Sequence, residues 1–269
     1  MKTTTRVRQL AFAAAMLAGS LLTFNLVPPA SAAPMGAGAQ AQQESSVTEA
    51  VQARLNKKQF KDVHVTVDNG IATLAGTVDV YEYKADAAKT AMHAKGITAV
   101  RNQIEVSGPG VSDLALQAKL AEKLEYDRVG FGNVFDAVAV GVDNGVVTLA
   151  GHAHNYMNRD SALALVATTP GVKDMVDNIE VDPVSMMDDQ TRVAVARSVY
   201  SFPTLNKYAV NPGMPIRISV QNGNVELYGV VDTQADKDAA FIRANGVAGV
   251  FSVKNYLQVA NQSNESKQQ

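Results

Sequence analysis

The sequence contains no cysteine and no tryptophan, and only 6% of its 269 residues are aromatic. Without cysteine, disulfides, thiolate metal ligands, a cysteine nucleophile and the lipid-bearing cysteine of a bacterial lipoprotein are all excluded. The scarcity of aromatic residues argues against a surface on which nucleic-acid bases stack. The formal net charge is −2, whereas general nucleic-acid binding requires clustered Lys and Arg to neutralise phosphates. We therefore expect no nucleic acid among the partners.

The segment 1–32 has the composition of a signal peptide. A basic start is followed by a mostly apolar run over residues 10–27, and Ala30-Ser31-Ala32 offers small residues for cleavage. An uncleaved membrane anchor is the alternative, because the apolar run is slightly long for a signal peptide. Cleavage would leave a mature chain without a transmembrane segment. We then expect a soluble protein in the periplasm or outside the cell.

One short pattern, Asn-Gly between two alternating apolar runs, occurs three times. It stands at Asn69-Gly70, Asn144-Gly145 and Asn222-Gly223. The pattern predicts a β-hairpin, because a type I′ turn needs positive φ at both central residues. Nine glycines keep one register, since the same two intervals separate the three copies at each of three landmarks. This constant spacing indicates tandem duplication of a folded unit. We assign all nine to structural turn and strand positions: Gly70, Gly145 and Gly223; Gly76, Gly151 and Gly229; and Gly96, Gly171 and Gly249.

Each copy predicts the order α-β-β-α-β. The hairpin strands pair antiparallel, and a right-handed crossover helix returns the third strand parallel to the second. The fold class is α+β, with three tandem two-layer α/β sandwiches. Each has a three-stranded mixed sheet covered on one face by two helices. The second and third copies carry about ten extra residues between the first helix and the first strand, and the prolines of the third copy favour an ordered loop there.

The landmarks also set the expected boundaries of the segments. The predicted segments are a signal peptide at 1–32, a flexible leader at 33–44, folded units at 45–107, 112–182 and 189–260, and a disordered tail at 261–269. The leader is predicted to be flexible because it has few bulky apolar residues. Ser45 or Ser46 is expected to cap the first helix.

The repeat resembles the BON domain, in which alternating valines lead to an Asn-Gly turn, then Val-x-Leu-x-Gly-x-Val, a helix and a final Gly-Val strand. The matching segments are Val63–Gly70, Leu74–Val78, Gly96–Val100, Asp143–Gly145, Val147–Gly151, Gly171–Val172, Asn222–Gly223, Val225–Val231 and Gly249–Val250. The resemblance implies a non-enzymatic module of the bacterial envelope that associates with phospholipid. It supplies no catalytic motif and no fixed ligand-contacting residues. A role in osmotic or envelope stress is implied by the family alone.

The sequence contains one suggestive pair of histidines and no recognisable enzyme motif. No Gly-x-Ser-x-Gly elbow is present. His152 and His154 are two residues apart, so in a strand both imidazoles would lie on one face and could bind one metal ion. No third ligand is evident, so we interpret the two as an incidental exposed pair, with a metal site as the alternative. We therefore assign no catalytic, cofactor-binding or metal-binding residue.

The densest basic cluster comprises Arg54, Lys57, Lys58 and Lys61, called here the basic segment. Their spacing would place them on one helix face if the first helix extends that far. An ordinary solvated helix face is the simpler interpretation, and a contact for anionic phospholipid is the candidate function of this face. The overall hypothesis is weak association with the anionic envelope membrane. The alternative is a module that interacts with envelope proteins, or acts as a chaperone, without binding lipid.

Overall fold

The computed structural model describes residues 37–126, 132–211 and 215–260. The predicted signal peptide, the first residues of the predicted leader and the predicted tail lie outside these ranges. The first repeat contains α1 (Ala37–Arg54), a short 3-10 helix (Lys58–Phe60), β1 (Val63–Asp68), β2 (Ile71–Val78), α2 (Tyr81–Met92) and β3 (Ala99–Val106). The second contains α3 (Asp113–Tyr126), α4 (Gly132–Phe135), β4 (Ala137–Asp143), β5 (Val146–Ala153), α5 (Tyr156–Ala167) and β6 (Asp174–Val181). The third contains α6 (Met186–Tyr200), α7 (Lys207–Val210), β7 (Arg217–Gln221), β8 (Asn224–Tyr228), β9 (Val230–Val231), α8 (Gln234–Asn245), β10 (Ser252–Asn255) and β11 (Gln258–Val259).

The sheets have the predicted topology. In the first repeat β1 pairs antiparallel with β2, and β3 pairs parallel with β2 on its other side. The second sheet repeats this arrangement with β4, β5 and β6. In the third, β8 lies between β7 and β10, and β9 and β11 continue the parallel pair. The predicted α+β class with mixed three-stranded sheets is confirmed.

Each repeat closes its own apolar core between one sheet face and two helices. In the first repeat the core joins Leu55 just after α1, Leu74 of β2 and Ala91 of α2, each at most 1% exposed. Leu120 and Leu149 occupy the corresponding core of the second repeat. Side chains also cross between repeats: Tyr81 packs on the second core, and Val134 and Phe135 of α4 pack on the third. The repeats are therefore separate cores with packed junctions.

The predicted turns form as expected from their sequence. Asn69 and Gly70 have φ of 49° and 77°, and the other two Asn-Gly pairs have nearly the same values. Positive φ at both positions is the geometry of a type I′ turn. All nine glycines of the repeat register have positive φ. At Gly76 the need is also steric, because a Cβ would lie 1.9 Å from the carbonyl oxygen of Asp62.

Three local expectations are corrected. Residues 37–44, predicted to be a flexible leader, belong to α1, because the Ala and Gln that dominate this stretch have high helix propensity. Ser46 does not cap the helix and instead donates to the carbonyl of Gln43 inside it. In the third repeat the helix begins at Met186, before the predicted boundary at 189, because Ser185 caps it through the N–H of Asp188.

The predicted loop of the third repeat also contains a short helix. One-turn helices, α4 and α7, fill part of the extra residues of the second and third repeats. In α7, Tyr208 is buried and its hydroxyl donates to the carboxylate of Asp236. The insertion of the third repeat therefore packs on its own repeat.

Candidate functional site

The basic segment lies where α1 ends. The helix stops at Arg54, so the predicted single helix face reaching Lys61 is wrong. The last turn tightens, with the N–H of Leu55 donating to both Val51 and Gln52 carbonyls, as is common where a helix ends. The chain then turns so that Phe60 reaches the first core, where it is 2% exposed.

The four cations nevertheless remain exposed and close in sequence. Arg54 donates to the carbonyl of His93 at the end of α2, at 3.2 Å. Lys61 lies 3.7 Å from Asp62, but both side chains are open to solvent, so this pair contributes little. Among the described residues, Lys57 and Lys58 make no ion pair. The segment therefore presents positive charge to solvent, held in place by the burial of Phe60.

The sequence-based interpretation of His152 and His154 as an exposed pair is wrong. His152 and His154 are only 19% and 29% exposed, because the third repeat packs over this end of β5. The imidazole of His152 lies 3.8 Å from a carboxylate oxygen of Glu226, and that of His154 lies 3.8 Å from Asp189. In the described ranges no three His, Cys, Asp or Glu side chains are arranged to hold a metal ion. The pair belongs to the contact between repeats.

That contact, the second junction, is organised around a buried ion pair. Asp182 follows β6 of the second repeat, and its side chain is fully buried. The guanidinium of Arg192, on α6 of the third repeat, lies 3.0 Å from it and also donates to the carbonyl of Val220 at 2.9 Å. The amide of Gln221 donates to the same carboxylate at 2.9 Å. A carboxylate of one repeat is thus satisfied by groups of the next.

The first junction, between the first and second repeats, is simpler. Lys84 of α2 lies 3.0 Å from Asp174 at the start of β6, and the aspartate side chain is about half exposed. Burial raises the pKa of Tyr81, and the nearby Asp174 carboxylate raises it further. A partly solvated ion pair and a tyrosine thus contribute to the contact between the first repeat and the second.

An apolar groove lies between α4 and α6. It has a volume of about 370 Å³ and is lined by Val134, Phe135, Val193, Ala196, Arg197 and Tyr200. Tyr200 is fixed by its hydroxyl, which donates to the carbonyl of Ile216. Burial raises the pKa of this hydroxyl well above its ordinary value, although the hydrogen bond to Ile216 opposes the shift. The groove is therefore apolar along its floor, with one arginine in its lining.

Exposed sheet edges are partly closed by side chains. Gln52 of α1 donates to the carbonyl of Val63 and accepts from the N–H of Val65, as a neighbouring strand would. Asn102 accepts from the N–H of Ile104 on the opposite edge. Such side chains reduce the capacity of an edge to pair with another chain.

Sequence reasoning missed the Arg192–Asp182 pair, although a signal was present. Arg192 stands one helical turn before the core residue Val195, as Gln117 stands before Leu120, so the two positions are equivalent. Gln117 donates to the carbonyl of Val140 in its own repeat. An arginine one helical turn from a core residue can be buried with it, and a buried charge requires a partner.

These observations define a class: a chain of tandem two-layer α/β repeats built on Asn-Gly hairpins. The sequence matches the family model of the BON domain over residues 43–108, 112–183 and 204–261. Over 155 residues it is 27% identical to osmotically-inducible protein Y of Escherichia coli (strain K12), covering 56% of this chain and 74% of that protein. Because the family matches cover well over half of it, the chain belongs to the BON domain family, and the predicted family is confirmed.

Two solved structures of CdsD, a structural protein of the Type III secretion system of Chlamydia trachomatis, were also found. The first is 14% identical with a TM-score of 0.24, covering 83% of this chain and 97% of that one. The second, of the C-terminal domain, is 16% identical with a TM-score of 0.23, covering 80% and 96%. These TM-scores are too low to indicate a shared overall arrangement. Separately, no helix in the described ranges combines the length and hydropathy needed to cross a bilayer.

Proposed function

We propose that this protein is a non-enzymatic, exported BON-domain protein that associates weakly with anionic phospholipid at the envelope membrane. The observation that supports the proposal is the basic segment, whose four exposed cations lie close together between Arg54 and Lys61. The family supports an envelope role, and the name of the Escherichia coli relative supports a link to osmotic stress. The proposed location is the periplasm or the outside of the cell.

The distribution of charge favours the first repeat as the contact. Residues 44–107 contain eight basic and eight acidic residues, whereas residues 108–184 contain five basic and eleven acidic ones. Near an anionic surface each cation of the basic segment would contribute about 1 kcal/mol. That total corresponds to weak, reversible binding, and salt would screen it.

The test is co-sedimentation of the purified protein with vesicles of neutral lipid alone and of neutral lipid mixed with anionic lipid. We expect binding only to the anionic vesicles, and loss of binding at high salt. Replacing Arg54, Lys57, Lys58 and Lys61 by Gln should remove most of it. A matched control replaces four exposed lysines elsewhere by Gln, which gives the same change in net charge: Lys89, Lys95, Lys119 and Lys173. Equal loss in both variants would refute the basic segment as the contact, and no binding by the wild type would refute lipid association.

The apolar groove favours a second function, interaction with envelope proteins. Its apolar lining suits a hydrophobic side-chain segment of a partner better than a phospholipid headgroup. The sheet edges are poorer candidates, because Gln52 and Asn102 already engage their backbone. Val193, which is about half exposed, is the position to test. Val193→Glu should abolish capture of a protein partner while leaving vesicle binding unchanged, and the reverse pattern would reject this alternative.

A further inference from the structure

The three Asn-Gly turns have nearly the same backbone conformation but different hydrogen bonding. The asparagine φ values are 49°, 51° and 50°, and the glycine values are 77°, 80° and 74°. In the second repeat, the N–H groups of Asn144 and Gly145 both donate to the carboxylate of Asp113, at 2.7 and 2.9 Å. The three turns therefore share one backbone geometry, and they can be compared by the acid that accepts hydrogen bonds from each of them.

The third turn is held in the same way as the second. The N–H groups of Asn222 and Gly223 donate to Asp188 at 2.9 and 2.8 Å. Asp188 is 3% exposed. Both glycine N–H groups of these two turns are thus engaged by a carboxylate.

The first turn lacks one of these bonds. Glu44 stands one helical turn before Val47 of the first core, as Asp113 stands before Leu116, so the two acids are equivalent. Glu44 is longer by one methylene, and its carboxylate accepts only from the N–H of Asn69, at 3.0 Å. Within the described ranges the N–H of Gly70 makes no hydrogen bond. Gly70 is also half-buried, whereas Gly145 and Gly223 are buried.

The freedom of this N–H has a chemical consequence. The backbone nitrogen after an asparagine can attack the side-chain carbonyl carbon, and a following glycine has no Cβ to hinder the approach. The new N–Cγ bond closes a five-membered imide, the Cγ–Nδ2 bond breaks, and ammonia leaves with the proton lost from the glycine nitrogen. Water then opens the imide to aspartate or to isoaspartate, whose backbone runs through the side chain. A carboxylate bonded to the N–H opposes the first step, because that hydrogen bond must break before attack.

We propose that Asn69 is a site of spontaneous deamidation, and that the matched turns at Asn144 and Asn222 are protected by Asp113 and Asp188. Conversion places a new carboxylate beside Asp68, to which the amide of Asn69 now donates at 2.9 Å, and beside Glu44. Like charges at this separation repel. The contact of α1 with the first hairpin is therefore weakened by the modification.

The test incubates the folded protein in mildly alkaline buffer and maps the three sites by peptide mass spectrometry with fragmentation that distinguishes isoaspartate. We expect Asn69 to convert about tenfold faster than Asn144, the ratio for breaking one hydrogen bond of ordinary strength. Asn69 and Asn144 share the flanking sequence Asp-Asn-Gly, so in urea their rates should become equal. Equal rates in the folded protein, or an unchanged difference in urea, would overturn the proposal.

A pair of variants isolates the role of the acid. Asp113→Ala should accelerate the deamidation of Asn144 to nearly the rate of Asn69. Glu44→Gln should leave the deamidation rate of Asn144 unchanged. Circular dichroism checks that both variants fold. If Asp113→Ala fails to fold, the comparison of folded and urea-treated wild type still decides the matter. A folded Asp113→Ala protein with unchanged Asn144 would also overturn the protective role.

Discussion

The third repeat is joined to the second by a buried guanidinium, whereas the first repeat is joined to it by an ion pair partly open to water. At the second junction Arg192 and Asp182 are both almost fully buried, and the amide of Gln221 donates a hydrogen bond to the Asp182 carboxylate. At the first, the carboxylate of Asp174 is about half exposed. Copies of one fold can thus be joined by very different contacts, and the cost of removing one partner of an ion pair depends on how completely the other is buried.

The outer sheet faces of the same two repeats differ accordingly. In the first repeat this face is open, with Ala75 and Thr77 exposed. In the third, Ser219 is buried and Tyr228 lies against the ring of His152 from the second repeat, with 6.1 Å between ring centroids. One copy therefore uses the face to join its neighbour, and the other leaves it available.

Breaking the second junction should have the largest effect. Arg192→Met leaves Asp182 buried without its cation, which we expect to cost about 3–5 kcal/mol in the free energy of unfolding. Urea denaturation followed by hydrogen exchange and mass spectrometry would locate the loss in the second and third repeats.

The double variant Arg192→Met/Asp182→Leu is the control, since it removes both charges together. It should be more stable than Arg192→Met alone, because no unpaired charge remains buried. If the single variant is as stable as the wild type, the ion pair does not hold this junction.

The turn of the third repeat should give the next largest effect. Asp188→Ala removes the acceptor of two N–H groups, and leaving buried donors unsatisfied costs about 1–3 kcal/mol. Burial would raise the pKa of Asp188, but the hydrogen bonds from Gly223, Asn222 and Ser185, together with the charge of Arg192, hold it below its ordinary value.

A lowered pKa fixes the direction of the pH dependence. The contribution of Asp188 is present above the ordinary aspartate pKa of about 3.9 and is lost as the pH falls toward the lower folded value. Urea titrations across this acidic range should show a smaller loss of stability in Asp188→Ala than in the wild type. A parallel loss in the two proteins would contradict this role.

Breaking the first junction should have the smallest effect. Lys84→Gln removes the ion pair with Asp174, and because the aspartate is partly solvated we expect a loss of at most about 1 kcal/mol. The same denaturation measurement should show it disappearing at high salt. If Lys84→Gln lowers the free energy of unfolding as much as Arg192→Met does, the proposed difference between the two junctions is wrong.

Much of the repeat could be predicted from the sequence because its signals are local. Asn69-Gly70 specifies its turn through the φ it allows, and alternation along Val63 to Val67 assigns one strand face to the core. The end of α1 could not be predicted from spacing, because it depends on Phe60 reaching the first core. The sequence alone indicated the cations of the basic segment but not the turn that presents them.

The sequence by itself determined the three-fold repeat, the family and the topology of each unit, since these follow from turns, periodicity and spacing within each copy of the repeat. Only the tertiary structure decided which faces of the repeats meet. His152 and Asp182 belong to the second repeat and Arg192 to the third, and each has an ordinary surface interpretation in the sequence. Packing of one repeat on the next removes them from water, and the cost of burying a charge then requires them to be neighbours.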